Sequence, residues 1–406
     1  MKNLVIAQSG GPSTAINATV AGICEFAFES NEINKVYGGL NGIEGILNEN
    51  FIELDKILDT KEKIDILSMT PSAALGSCRK KLDDYKKNDT EYKKLMNILR
   101  KYDIGYFIYI GGNDSMDTVK KLSDYCKDNN INDIKIMGAP KTIDNDIYET
   151  DHTPGFGSAA KYIATTISEI ACDGDVYNIP TVNIVEIMGR DAGWLTGSSC
   201  MARANGGHAP DLIYMCEVPF NIDNFIKDLE KKLIEKKTIV VAVSEGIKDI
   251  KGNYISESRD NKVDAFGHVQ LSGVGEVLKS IVKEKIGCKV RSIELSLMQR
   301  CAAHIASKTD IDESKYIGYE TLKFAVEGGS GKIGIFKRKN INEYEIEVEF
   351  IEIERIANKV KKVPLEWINE HHNDVTVDFI NYISPLIKGE LPIVYKNGIP
   401  EIINLK

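Results

Sequence analysis

Short apolar runs alternate with helical segments along most of the chain, and polar, glycine-rich turns close many of the runs. Residues 2–7 read as a first strand, Gln8-Ser9-Gly10-Gly11-Pro12-Ser13 as the turn after it, and 14–28 as an apolar-periodic helix. The β-branched and aromatic run at 106–110 predicts another strand. It ends in Gly111-Gly112-Asn113-Asp114-Ser115, with helical spacing over 116–127. A run at 134–139 ends in Pro140-Lys141-Thr142-Ile143-Asp144-Asn145-Asp146, and Gly155-Phe156-Gly157-Ser158 then opens a helix from 159. Runs at 182–187 and 238–244 predict buried strands ending in Met188-Gly189-Arg190-Asp191-Ala192-Gly193-Trp194 and in Glu245-Gly246. A strand is expected at 212–218, a Lys/Glu-rich helix over 221–235, and a Gly-rich loop over 264–274 leading into a helix over 275–285. A further helix is expected near 302–307, and from 333 on strands and short helices alternate with no evident reactive constellation.

Strands alternating with helices predict an α/β chain whose mostly parallel sheet is covered on both faces. Ligands of such folds bind outside the carboxyl ends of the strands. The unusual turns all fall at such ends, which points to one site. Each turn alone has a plainer reading. Glycines between a strand and a helix can cradle a phosphate on free backbone N–H groups, or can simply tighten the turn. Arg79-Lys80-Lys81, after a small-residue turn, suits phosphate binding or a solvated helix face equally. Two acids two positions apart, as in Asp144 and Asp146, are often only a solvated loop.

Composition narrows the classes. The 406 residues suit two domains rather than one core, with a crossing expected after Asp146. Hydrophobic residues at 43% and charged residues at 27% are those of an ordinary globular protein. A net charge of −9 argues against a nucleic-acid partner, so any anionic ligand must be held by a local set of Arg, Lys and helix N-termini. No apolar run approaches a membrane span of roughly 20 residues, and no signal-peptide pattern precedes the first strand. The eight cysteines are scattered without CxxC pairs, which suggests reduced core thiols in a cytoplasmic protein. His208, His268 and His304 are isolated and read as structural or surface residues.

The chemistry-bearing inventory is therefore carboxylates, arginines, one lysine and glycine turns. It contains no GxSxG serine and no Cys/His pair. This set suits phosphoryl transfer, where catalysis is mainly positioning and charge neutralisation around an in-line displacement. One Asp can accept the proton of an attacking hydroxyl, a second can hold Mg²⁺ together with substrate phosphates, and Arg and Lys can clamp phosphate oxygens.

In order along the chain, Gly111-Gly112-Asn113-Asp114-Ser115, the Pro140 to Asp146 turn, Met188-Gly189-Arg190 and Ser244-Glu245-Gly246 resemble the signatures of the 6-phosphofructokinase family. Arg291 and Gln299-Arg300 are similar to its later phosphate-binding stretch, and the likeness runs from residue 8 to about 300. The resemblance implies two similar Rossmann-like three-layer domains with the active site in the cleft between them. The expected phosphoryl-donor domain is 1–150 plus about 300–345, and the sugar-phosphate domain is 151–299 plus about 346–406. It further implies Asp144 as general base on the 1-hydroxyl of fructose 6-phosphate. Asp146 would assist and bind Mg²⁺, with Asn113 beside it. Thr142, Ile143, Met188, Gly189, Arg190 and Glu245 would hold the sugar phosphate. Arg79, Arg291 and Arg300 would take phosphate groups, and Gly11 would approach the donor with its backbone N–H.

Departures within the resemblance concern the donor. ATP-dependent members carry Gly at the positions of Asp114 and Lys141, and both substitutions are typical of the pyrophosphate-dependent branch. A carboxylate at 114, starting a helix, is expected to take the N–H groups that would otherwise hold the nucleotide α-phosphate. Lys141 would supply a cation to the transferring group. Asn113 replaces the more usual metal-binding Asp. A cross-subunit arginine of the tetrameric ATP enzymes falls at Thr181, and the first helix lacks the basic residues of effector sites. The expectation is a non-allosteric pyrophosphate-dependent enzyme, a cytoplasmic homodimer or homotetramer. An ATP-dependent sugar-phosphate kinase and a non-catalytic sugar-phosphate sensor are the alternatives, opposed by Asp114 with Lys141 and by the intact Asp144, Asp146 and Arg190.

Overall fold

The computed structural model describes residues 1–256, 273–340, 343–356 and 359–405. The expected loop at 264–274 and His268 lie wholly or largely outside them. Strands β1 (Lys2–Gln8), β2 (Ile33–Gly39), β3 (Phe51–Glu53), β4 (Ile104–Gly111) and β5 (Lys135–Pro140) build one sheet. Strands β6 (Thr181–Ile187), β7 (Leu212–Tyr214), β8 (Thr238–Ser244) and β9 (Lys289–Glu294) build a second, all parallel. Strands β10 (Lys332–Asn340) and β11 (Glu345–Glu352) return to the first sheet, whose order is β11-β10-β5-β4-β1-β2-β3. Its inner pairings are parallel, and the two edge pairings, β10 with β11 and β2 with β3, are antiparallel.

The continuous apolar runs follow from burial on both faces. Leu4 and Ile6 of β1 point to a core shared with the helices Ile16–Glu29 and Lys308–Val326, whereas Val5 and Ala7 point to the opposite core. Successive strand side chains alternate, so a strand covered on both sides needs apolar residues at every position. The second sheet repeats the pattern: Val185 and Ile187 enter one core, Val182 and Ile184 the other. In the first sheet the chain leaves β1 towards β2 on one side and returns to β4 on the other, making a topological switch point.

Some local expectations need correction. The strand expected at 212–218 stops at Tyr214, because the chain turns where Glu217 is drawn in to accept from the Gly193 N–H at 2.7 Å. Instead of a helix near 302–307 there is a single 3₁₀ turn, Ala303–Ile305, followed by the long helix Lys308–Val326. Ser307 caps that helix by accepting from the Asp310 N–H, which sets its start beyond the expected segment. The segment with Arg79, Lys80 and Lys81 is not helical. Cys24, Cys78, Cys126 and Cys200 are buried, but Cys172 and Cys301 are exposed, and all eight thiols are free. Among the described residues no helix is long and apolar enough to cross a membrane.

Candidate active site

A cavity of about 450 Å³ lies where the carboxyl ends of the two sheets face each other. The first sheet supplies the turn after β1 (Gly10, Gly11, Pro12), the turn after β4 (Gly112 to Ser115), and Lys141, Thr142, Ile143, Asp144 and Asp146 after β5. The second supplies Met188 to Ala192 after β6, Glu245 after β8 and Arg300 after β9. Arg79 joins from the loop before the helix Thr90–Lys101.

Close approach explains the glycines. A Cβ on Gly111 would lie 2.1 Å from the Ser115 hydroxyl oxygen, and one on Gly246 would lie 2.0 Å from the Arg190 carbonyl oxygen. The β1 turn is latched to the Arg79 loop: Ser77 Oγ donates to Gly10 O at 2.6 Å, and Gly10 N donates to Cys78 O at 3.2 Å. On the sugar-side turns, Gly189 N donates to Glu245 Oε1 at 3.3 Å and Met188 N donates to Gln299 Oε1 at 3.2 Å. Thr142 Oγ1 accepts from Asp144 N at 3.2 Å, an Asx-like local bond that shapes the turn carrying the two acids.

Charge here is strongly perturbed. Lys141 is 3% exposed, and its Nζ donates to the Gly11 carbonyl. Burial pulls its ammonium down to about 8, with Asp144 holding it up and Arg300 pushing further down. Burial pushes the Asp144 carboxyl above its ordinary range, opposed by Lys141, the Thr142 hydrogen bond and Arg190. Asp146 is pushed up to about 7 by burial and then by the charge of Asp144. Burial likewise raises Glu245 to about 7. Buried titratable groups perturbed by a specific charged partner mark this cluster as a candidate functional site.

All the site residues named from the sequence line this cavity except Arg291. Arg291 lies mid-strand on β9 beside Asn183, to whose Oδ1 its guanidinium donates at 3.4 Å, whereas the cavity opens at the strand's end. Asp114 also behaves otherwise than expected. Its carboxylate pairs with Lys81 at 3.1 Å, and the helix Asn113–Asp128 starts after Gly112, which has no side chain to cap it. Asp114 lies inside the first turn of that helix, one position past Asn113, and the cation it meets there is Lys81. Sequence reasoning missed Lys359 and Val360 on the cavity wall. They arrive through a bridge between Ile147 and Val360, a long-range pairing with no local signal. Gln299 was noticed only as a neighbour of Arg300; buried, with 1% exposure, it holds the Met188 amide.

A divalent cation can be accommodated. Asn113 Nδ2 donates to Asp146 Oδ2 at 3.2 Å, while the buried Asn113 Oδ1 has no hydrogen-bond partner. Among the described residues no three His, Cys, Asp or Glu side chains could hold an ion by themselves. The fit therefore rests on Asp146, the Asn113 Oδ1 and the oxygens of a phosphorylated substrate, the mode that hard, strongly hydrated cations favour.

Residues 3–320 match the family described as Phosphofructokinase. The chain is 36% identical over 406 residues to a pyrophosphate–fructose 6-phosphate 1-phosphotransferase of Halomonas elongata, covering 99% of this chain and 96% of that one. It is 37% identical over 407 residues to a protein of the same name from Xanthomonas campestris, covering 100% and 96%. The solved structure of a pyrophosphate-dependent phosphofructokinase from Nitrosospira multiformis superposes with a TM-score of 0.89 at 35% identity, over 99% of this chain and 96% of that one.

Proposed function

The chain belongs to the phosphofructokinase family, and on that premise we propose that it transfers a phosphoryl group from pyrophosphate to the 1-hydroxyl of fructose 6-phosphate, reversibly, giving fructose 1,6-bisphosphate and phosphate. The observation that carries this reading is that Asp144, Lys141 and Asp114 line one cavity with the glycine turns after β1 and β4.

Each side chain then has a task. Asp144 accepts the proton of the 1-hydroxyl as that oxygen attacks the nearer phosphorus. The new P–O bond forms as the bridging P–O bond of pyrophosphate breaks, and phosphate leaves. The proton moves on from Asp144 to phosphate or solvent. Lys141 and Arg300, set against the Gly10-Gly11 turn, offset the negative charge that shifts to the leaving group. Arg190, whose buried Nε has no hydrogen-bond partner among the described residues, offers a charged donor to the sugar phosphate. Arg79 does the same for the donor. Asp146 and Asn113, together with substrate oxygens, would hold Mg²⁺, which would supply charge neutralisation to the phosphates.

Within this reading, the unit around the first sheet takes the phosphoryl donor and the unit around the second takes the sugar phosphate. The enzyme acts in the cytoplasm as a homo-oligomer, which light scattering on eluted protein would test. The reaction itself is tested by assaying purified protein with fructose 6-phosphate and Mg²⁺, with pyrophosphate and ATP as donors in parallel. Turnover with pyrophosphate and little with ATP is the expected result. A preference for ATP, or no turnover with either, would sink the reading.

A further inference from the structure

The turn that carries Asp144 and Asp146 is held from behind by a lysine that does not line the cavity. Asn145, between the two acids, has φ of +54°, a left-handed conformation that disfavours most side chains. That backbone sends its side chain into the protein interior, fully buried, while its neighbours on both sides face the cavity. Both ends of the Asn145 amide are engaged. Its Nδ2 donates to Tyr382 Oη at 2.8 Å, and its Oδ1 accepts from Lys361 Nζ at 3.2 Å. Tyr382 Oη in turn donates to Asp151 O at 2.6 Å. The Lys361 ammonium also donates to Thr150 O at 3.1 Å and to Asp151 O at 2.7 Å, and it sits 4.8 Å from the centre of the Trp194 ring. All three of its N–H donors are thus used, and an aromatic face covers it.

The backbone around Lys361 ties the same turn to the opposite side of the cavity. Lys361 N donates to Asp146 O at 2.8 Å, and Lys361 O accepts from Trp194 Nε1 at 2.9 Å. Trp194 directly follows the turn that carries Met188, Gly189 and Arg190. Two residues on, Val363 N donates at 3.1 Å to Glu217 Oε1, the oxygen that also accepts from Gly193 N at 2.7 Å. A short stretch of the C-terminal part of the chain is therefore hydrogen-bonded to the base-bearing turn after β5 and to the sugar-side turn after β6 at once.

We propose that Lys361 is a positioning residue: through Asn145 and Trp194 it sets the Asp144–Asp146 turn at its working distance from the turn that carries Arg190. Lys361 touches no substrate. Its effect is on how well the proton acceptor is aimed, and a misplacement of about 1 Å can cost on the order of 10²-fold in rate. The proposal rests on the phosphoryl-transfer reading given above.

The test uses the full-length protein. Wild type turning over fructose 6-phosphate with pyrophosphate checks that underlying reading by itself. Lys361→Met, which keeps the length and removes the donors, is expected to lower kcat at least tenfold while KM for fructose 6-phosphate changes by less than about threefold. Asn145→Ala removes the same contact from the other side, so the double variant is expected to be scarcely slower than the worse single one. Amide hydrogen exchange over 142–151 is expected to speed up in Lys361→Met with no substrate present, a readout independent of the reaction. Should Lys361→Met not fold, Tyr382→Phe removes one hydroxyl from the same cradle and is read the same way, by a fall in kcat and faster exchange. Unchanged kcat and exchange, a loss confined to KM, or two single effects that multiply in full would each overturn the proposal.

Discussion

Asp144 is the residue on which the proposed chemistry turns, and its setting makes two outcomes measurable. Asp144→Asn keeps the shape and the Thr142 contact but cannot accept a proton. Turnover is expected to fall by about 10²–10⁴-fold while sugar-phosphate binding, followed by calorimetry, changes little. A variant with near-full turnover would refute the assignment. The second outcome is the pH profile of kcat/KM. Burial raises Asp144, so the active, ionised base is gained as pH rises, which gives an acid limb. Burial lowers Lys141 to about 8, so its charge is lost above that pH, which gives an alkaline limb. A bell is expected whose upper limb lies near 8, far below the value of an ordinary lysine. A profile flat through pH 9 would contradict the role of Lys141. Donor choice belongs to the same scale. Asp114 fills the helix start beside the β4 turn and is held by Lys81. Asp114→Gly opens that space and releases Lys81 from the pair, so ATP use should rise. Asp114→Gly with Lys141→Gly should weaken the pyrophosphate reaction and raise relative use of ATP further. Parallel steady-state assays with both donors check this, and an unchanged donor ratio would count against it.

At the scale of elements, the site is held by helices whose close packing tolerates no side chain. Ile16–Glu29 and Lys308–Val326 cross so tightly that a Cβ on Gly22 would lie 1.9 Å from the Lys315 carbonyl oxygen, and one on Gly318 would lie 2.2 Å from that of Thr19. The second of these helices also reaches the other half of the site. Asp310 accepts from Gly155 N at 2.8 Å and Ser158 N at 3.0 Å, capping the helix Phe156–Gly174 with a buried carboxylate. Gly22→Ala is therefore expected to destabilise the fold by about 1–3 kcal/mol, read as a lower midpoint in urea with an unchanged slope. Its donor preference should stay as in wild type, because the crossing lies behind the sheet and away from the cavity.

For the molecule as a whole, the arrangement predicts simple kinetics. The first helix carries no Arg or Lys, its residues from Ile16 to Cys24 are buried, and the charges on its remaining turn are those of Glu25 and Glu29, so it offers no positive charge to an anionic effector. Rates are expected to be hyperbolic in fructose 6-phosphate, with no large effect of ADP or phosphoenolpyruvate. Sigmoidal rates relieved by ADP would show an effector site elsewhere.

The strands that carry the site were legible because each is buried on both faces and ends in a turn with its own composition: β1, β4, β5, β6 and β8 all fall where the apolar runs place them. That the turns of one sheet would gather at one edge followed from one rule, since parallel strands present their carboxyl ends on one side. That the Arg190 turn of the second sheet faces the Lys141 and Asp144 turn of the first was implied only by the family resemblance and is set by how the two sheets meet. Where Arg291 would lie did not follow, because a one-dimensional pattern does not say whether a side chain beside a strand's end reaches past it. The pairing of Asp114 with Lys81, the arrival of Lys359 and Val360 at the cavity wall, and the place of Lys361 behind Asn145 were decided by tertiary structure alone. In sequence these are an unremarkable surface lysine and part of a basic run. Local pattern reports what each segment needs to bury, and it carries no information on which distant segment will meet that need.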